Sequence, residues 1–173
     1  MGAKGEALAK KFEAKVQEAT AVFEKIGDAD WKKVTSAEKW PVCVVAHHIA
    51  QAHLGLGGIV KRLADGTAGP PTISMDDIHA MNAQHAKEFA QCTKAETLAL
   101  HRQNAATVAA ILRGIEDAHF ERKGPLLKGV PEMSAEQTAG GRVTAFRGGL
   151  FSFRGRSFGI SGMSTDEAAK LTK

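Results

Sequence analysis

Tyrosine is absent from the chain, aromatic residues make up only 6% of it, and no apolar run approaches the length of a membrane span. A spanning helix needs about 20 consecutive apolar residues, so insertion into a bilayer is not expected. Cysteine is nearly as scarce. Cys43 and Cys92 stand far apart with no Cys-x-x-Cys pattern, which argues against a disulfide framework or a zinc knuckle and fits reduced thiols in a cytoplasmic protein. The opening MGAKGEALAKKFEAK carries lysines but no apolar stretch of the kind that directs secretion. Lys and Arg leave a net charge of +4, yet they are scattered and not interleaved with aromatics, so nucleic-acid binding is not expected. Walker loops, HExxH and Ser/His/Asp patterns are missing as well. What is present is ordinary for a globular domain: 173 residues, 43% hydrophobic and 24% charged. A domain of that length buries roughly 70% of its unfolded surface and needs no staple.

The apolar residues Leu8, Phe12, Val16, Ala19, Phe23 and Ile26 recur at threes and fours, which predicts an amphipathic helix over about 6–26. After a polar stretch holding Trp31 and Trp40, Pro41 suits the first position of a second helix running to about residue 64, because its missing N–H is not needed there. DGTAGPPTIS reads as a connection, and Ser74 with Asp77 caps a third helix to about residue 91. Thr93 and Glu96 form a capping box for a fourth, to about residue 115, and Ser134 with Gln137 form another. The chain therefore reads as all-α: a helical bundle over 1–137, with 138–173 as an atypical last helix and tail. That tail contains AGGRVTAFRGGLFSFRGRSFGISG, with seven glycines, and each costs a helix about 1 kcal/mol relative to alanine. A frayed helix is the expectation, with a pair of strands or a loosely ordered tail as alternatives. Its Arg142, Arg147, Arg154 and Arg156 leave RNA or phosphate binding as a lesser reading.

Chemistry is sought among the seven histidines. On the second helix Val45, Ile49, Ala52, Leu56, Ile59, Val60 and Leu63 share one face at about 100° per residue. His48 lies on one flank of it, His53 on the other, and His47 points to solvent. His53, His79 and His119 read as surface or flank residues. Asn82 and His85 fall within the apolar stripe of the third helix, between Ile78 and Phe89, and His101 falls among Leu98, Ala105, Val108 and Leu112 of the fourth. With successive helices antiparallel and about 1.5 Å of rise per residue, His48, His85 and His101 all lie roughly 10 Å from the same end. Inward imidazoles at one level of a bundle are how Zn, Ni or Fe sites are built between helices. A single inward histidine is also commonly a hydrogen-bonded core residue, and Asn82 either caps a backbone group or orients a ligand.

The segment DADWKKVTSAEKWPVCVVAHHIAQAH, with Trp40, the Pro41-Val42 helix start and His48, resembles the early part of DinB-like proteins. That superfamily includes mycothiol-dependent maleylpyruvate isomerases. The stretch ISMDDIHAMNAQHAKEFAQCTKAETLALHRQ looks like its next two helices, with Asn82 in a familiar place. The resemblance covers roughly residues 5–137. It implies a four-helix bundle with a crossover, often a homodimer, acting on a small-molecule substrate with a divalent metal (Zn or Ni) and, in its thiol-dependent members, a low-molecular-weight thiol. It also implies metal ligands: a histidine from the second helix, matched by His48, and two ligands one turn apart on the last helix. The last pair has no match here. Phe153 and Ser157 stand at those positions, no histidine follows His119, and neither residue replaces an imidazole. The expectations are therefore a thiol-dependent transferase or isomerase with His48, His85 and His101 as a rearranged metal set and Asn82 in support, or a non-catalytic bundle that mediates dimerisation. A third origin for the tail is an altered reading frame.

Overall fold

The computed structural model describes residues 2–35 and 39–140, together with the backbone of 152–153 and 156–157. Three long helices carry the fold: α1 (Ala3–Lys25), α3 (Val42–Asp65) and α5 (Lys94–Gly114). Between them lie a single turn, α2 (Asp28–Trp31), and α4 (Met75–Glu88). A 3-10 turn (Asp117–Glu121) leads to β1 (Lys123–Gly124), which pairs antiparallel with β2 (Met133–Ser134) just before the short α6 (Ala135–Ala139). The helix starts follow local chemistry. Ser74 with Asp77, Thr93 with Glu96 and Ser134 with Gln137 each form a reciprocal capping box at the start of α4, α5 and α6. Each satisfies backbone donors that the first turn leaves without partners. Gly66 ends α3 in the left-handed conformation, φ 73°, returning its N–H to the carbonyls of Arg62 and Leu63.

α3 and α5 run parallel: Asn104 Nδ2 donates to the Ala50 carbonyl at 2.9 Å, and further along Gly57 meets Val108. α1 runs antiparallel to both, with Phe12 against His53, and with Phe23 and Glu13 against His101 and Arg113. Parallel neighbours require a connection that travels the length of the bundle, and residues 66–93, with α4 inside them, provide it. This is the expected all-α bundle with a crossover. Among the described residues, α3 is long and apolar enough to cross a membrane, but 56% of that stretch is buried inside the fold. The Arg113 guanidinium ties α5 to α1, donating to Glu6 at 2.7 Å and to both oxygens of Glu13 at 2.8 Å.

Two apolar clusters fill the interior. One joins Phe12, Leu56, Val60, Leu63, Val108, Leu112 and Phe120; the other joins Phe23, Ile26, Trp31, Val42, Val44 and Ala46. Between them sit two histidines, His53 and His101, whose edges meet Phe12 of the first cluster and Phe23 of the second.

Two expectations are corrected. Residues 152–153 and 156–157 pair as short antiparallel strands, β3 (Ser152–Phe153) and β4 (Arg156–Ser157), where a frayed helix was anticipated. Positions 153 and 157 are thus not one helical turn apart. The rest of the tail, including Arg142, Arg147 and Arg154, lies outside the described residues. Nor is the first half of α3 buried on one face only: Val42 to His48 are all buried. The end of α4 and the chain that follows it, with His85, Phe89, Ala90 and Cys92, cover the face on which His47 was expected to meet water.

Candidate functional site

The α3 start is set by the chain that leads into it. Val34 bridges to Pro41, Thr35 N–H donates to the Trp40 carbonyl at 2.8 Å, and Lys39 adopts φ 61° to make the turn. This brings the Trp40 ring edge-on to His48, centroids 5.8 Å apart. On the other side α4 delivers His85, whose ring centre lies 5.0 Å from that of His48 and 5.1 Å from that of His47. His47 Nδ1 and His85 Nε2 are 3.4 Å apart, so one of the two nitrogens carries the proton and the other accepts it. Phe89 stacks on His47 with centroids 3.9 Å apart and planes 20° from parallel. The result is a three-imidazole cluster between α3 and α4, walled by Trp40 and Phe89.

Burial controls its protonation. Loss of water pushes His48 down to about 4, with the neighbouring His47 adding to the effect. His85 is likewise pushed to about 4 by burial and by the two other imidazoles. His47 is lowered by burial, against the attraction of Glu88 and Glu96. All three are neutral at pH 7, with lone pairs to offer. Asn82, half-buried, stands one turn before His85 on α4.

His101 belongs elsewhere. It is fully buried and meets His53, with Nδ1 of His101 3.1 Å from Nε2 of His53, while its own Nε2 lies 3.4 Å from the Val16 carbonyl. His48 and His53 are five residues apart, which puts them about 140° apart around α3. A residue on α5 can meet one flank, and it meets that of His53. His53, read as a surface or flank residue, is only 8% exposed, and burial with His101 beside it lowers it to about 3. The structure therefore brings His48 and His85 together and keeps His101 with His53. Among the described residues, no group of three or more His, Cys, Asp or Glu side chains is arranged to hold a metal ion.

Sequence reasoning missed the burial of His47 and the stacking of Phe89 upon it. The i, i+4 spacing of Cys43 and His47, opposite the apolar face, marked a second buried face that only the covering chain around Phe89 and Cys92 reveals.

Three long helices with a parallel pair, a crossover, and a histidine beside a tryptophan early on the second of them define a bundle of the DinB-like class. The family model of the mycothiol maleylpyruvate isomerase N-terminal domain matches residues 12–142, and the chain belongs to that family. No curated protein and no solved structure gives a match.

Proposed function

We propose that the cluster between α3 and α4 is a divalent-metal site, for Zn or Ni, serving a thiol-dependent transferase or isomerase reaction on a small molecule. The observation that carries this reading is the gathering of three neutral, desolvated imidazoles around His85. The donor chemistry fits the metal: imidazole nitrogen free of protons is the donor these borderline cations take, and His48 and His85 would hold it. Two protein donors leave positions for water, thiol or substrate. When bound, the metal would act as a Lewis acid and lower the pKa of a thiol or water. The chain's own residues do the rest. Trp40 and Phe89 exclude water, His47 accepts or returns a proton through its contact with His85, and Asn82 orients a ligand beside His85. The family's description names mycothiol, a low-molecular-weight thiol, and that is the cofactor class this reading takes. A homodimer is the assembly proposed with it, and light scattering on the purified chain tests it.

A second reading rests on the His47–His85 contact and the Phe89 stack, which supply these rings with protein partners. They would then be structural groups of a non-catalytic module. Elemental mass spectrometry of the purified chain, with His48→Ala, His85→Ala and His101→Ala after identical dialysis, separates the two. Near-stoichiometric metal, lost in the first two variants and kept in His101→Ala, is expected. A parent that takes up neither Zn nor Ni when offered them would sink the metal reading in favour of the module.

A further inference from the structure

We propose that Cys43 and Cys92 are a modification site: a low-molecular-weight disulfide converts them to an intramolecular disulfide that fastens the α4–α5 connection to the start of α3. They are the only two cysteines of the chain, and 49 residues separate them. The fold nevertheless sets each sulfur against the other's strand of chain. Cys92 Sγ donates to the carbonyl of Cys43 itself at 3.3 Å, and Cys43 Sγ donates to the Ala90 carbonyl, two residues before Cys92, at 3.7 Å. That carbonyl oxygen is four bonds from the Sγ of Cys43, and the two thiols also interact directly, so they lie close together.

The connection is also anchored around Cys92. Trp31 Nε1 donates to the Cys92 carbonyl at 3.1 Å, and Lys94 Nζ donates to the Ile26 carbonyl at 2.7 Å. A disulfide needs its two Cβ atoms close together and held so, and the anchors at Cys92 and Lys94 hold the connection in place. Both thiols are reduced as the fold presents them. Cys43 is buried and Cys92 half-buried, which makes Cys92 the sulfur that an incoming reagent meets. Burial and the adjacent Cys43 raise the Cys92 thiol to about 11. Little thiolate is present at pH 7, so exchange is slow.

The Cys92 thiolate attacks one sulfur of the disulfide RSSR, forming a mixed disulfide and releasing RS⁻. Cys43, having given its proton to water, attacks the Cys92 sulfur and displaces the second RS⁻. The protein loses two electrons and two protons, and RSSR becomes two RSH. Cys43 lies one turn before His47, and Cys92 lies three residues beyond Phe89, so the bond joins the two segments that carry the stacked His47 and Phe89. It depends on the sulfur geometry alone and stands or falls separately from the metal reading.

The reduced full-length chain is equilibrated with 2-hydroxyethyl disulfide and its thiol, quenched in acid, alkylated and weighed intact. The expected product is lighter than the reduced, unalkylated chain by two hydrogens, takes no alkyl group, and yields one peptide pair joined through Cys43 and Cys92. Cys43→Ser and Cys92→Ser both stop at a mixed disulfide or a free thiol. The equilibrium constant for ring closure should be at least about tenfold larger in the folded chain than in urea, the sign of sulfurs held together. Equal constants, dimers joined between chains, or a stable mixed disulfide in the parent would overturn the proposal.

Discussion

His53 and His101 carry the residue-scale lesson. Each ring supplies the other's hydrogen-bond partner in a site closed by Phe12 and Phe23. Removing one partner leaves a buried polar nitrogen stranded, whereas removing both leaves an apolar gap that neighbouring rings tolerate. His53→Leu and His101→Leu should each cost about 1–3 kcal/mol in chemical denaturation, and the double variant should cost less than their sum by about 1 kcal/mol. Strict additivity would contradict a mutual bond. Part of this was legible in the sequence. The inward direction of His101 follows from its place among Leu98, Ala105, Val108 and Leu112, and the flank positions of His48 and His53 follow from helical rotation. The burial of His47 was not legible, because a helical wheel assumes one wet face, and Phe89 stacks on that face from elsewhere in the chain.

At the scale of the element, the starts of α4, α5 and α6 were written in the chain as Ser74/Asp77, Thr93/Glu96 and Ser134/Gln137, since capping needs only residues three apart. The parallel course of α3 and α5 follows from two short turns around α4. By contrast, β1 and β2 pair residues eleven and nine apart, Lys123 with Ser134 and Gly124 with Met133, across a loop with no alternating pattern to announce two strands. Glycine inside α3 gives a sharp test. A Cβ on Gly57 would come 2.8 Å from Val108 Cγ2, while one on exposed Gly55 meets nothing within 4 Å. Gly55→Ala should therefore stabilise by about 0.5–1 kcal/mol through the lost freedom of the unfolded chain. Gly57→Ala should destabilise by about 1–3 kcal/mol through overpacking against α5. Thermal melts of the two variants check the opposite signs.

For the whole molecule, the buried histidines set the acid limit. In the folded chain His53 is held near 3 and His48 and His85 near 4, with His47 and His101 also lowered; unfolded histidine titrates near 6.5. The folded state refuses protons that the unfolded state accepts, so stability is full above pH 6.5 and falls as pH drops toward 4. Each proton fully excluded contributes a slope of about 1.4 kcal/mol per pH unit. Glu6 and Glu13, lowered chiefly by hydrogen bonds to Arg113, act only at lower pH. The urea midpoint should be clearly lower at pH 5.0 than at pH 7.5; identical midpoints would mean that the rings take protons without unfolding.

α4 buries no residue of its own, though it carries His85. A helix held by a few partly buried side chains, Met75 and Ile78 near its start and His85 and Ala86 near its end, opens locally at less free energy than the bundle it crosses. Its amides should exchange with deuterium well before those of α3 and α5, and at a rate that denaturant hardly changes. The histidines of α3 then have a door whose opening is independent of the wall. Traffic to them can be tuned by mutating the surface of α4, at no expense to the stability of the bundle.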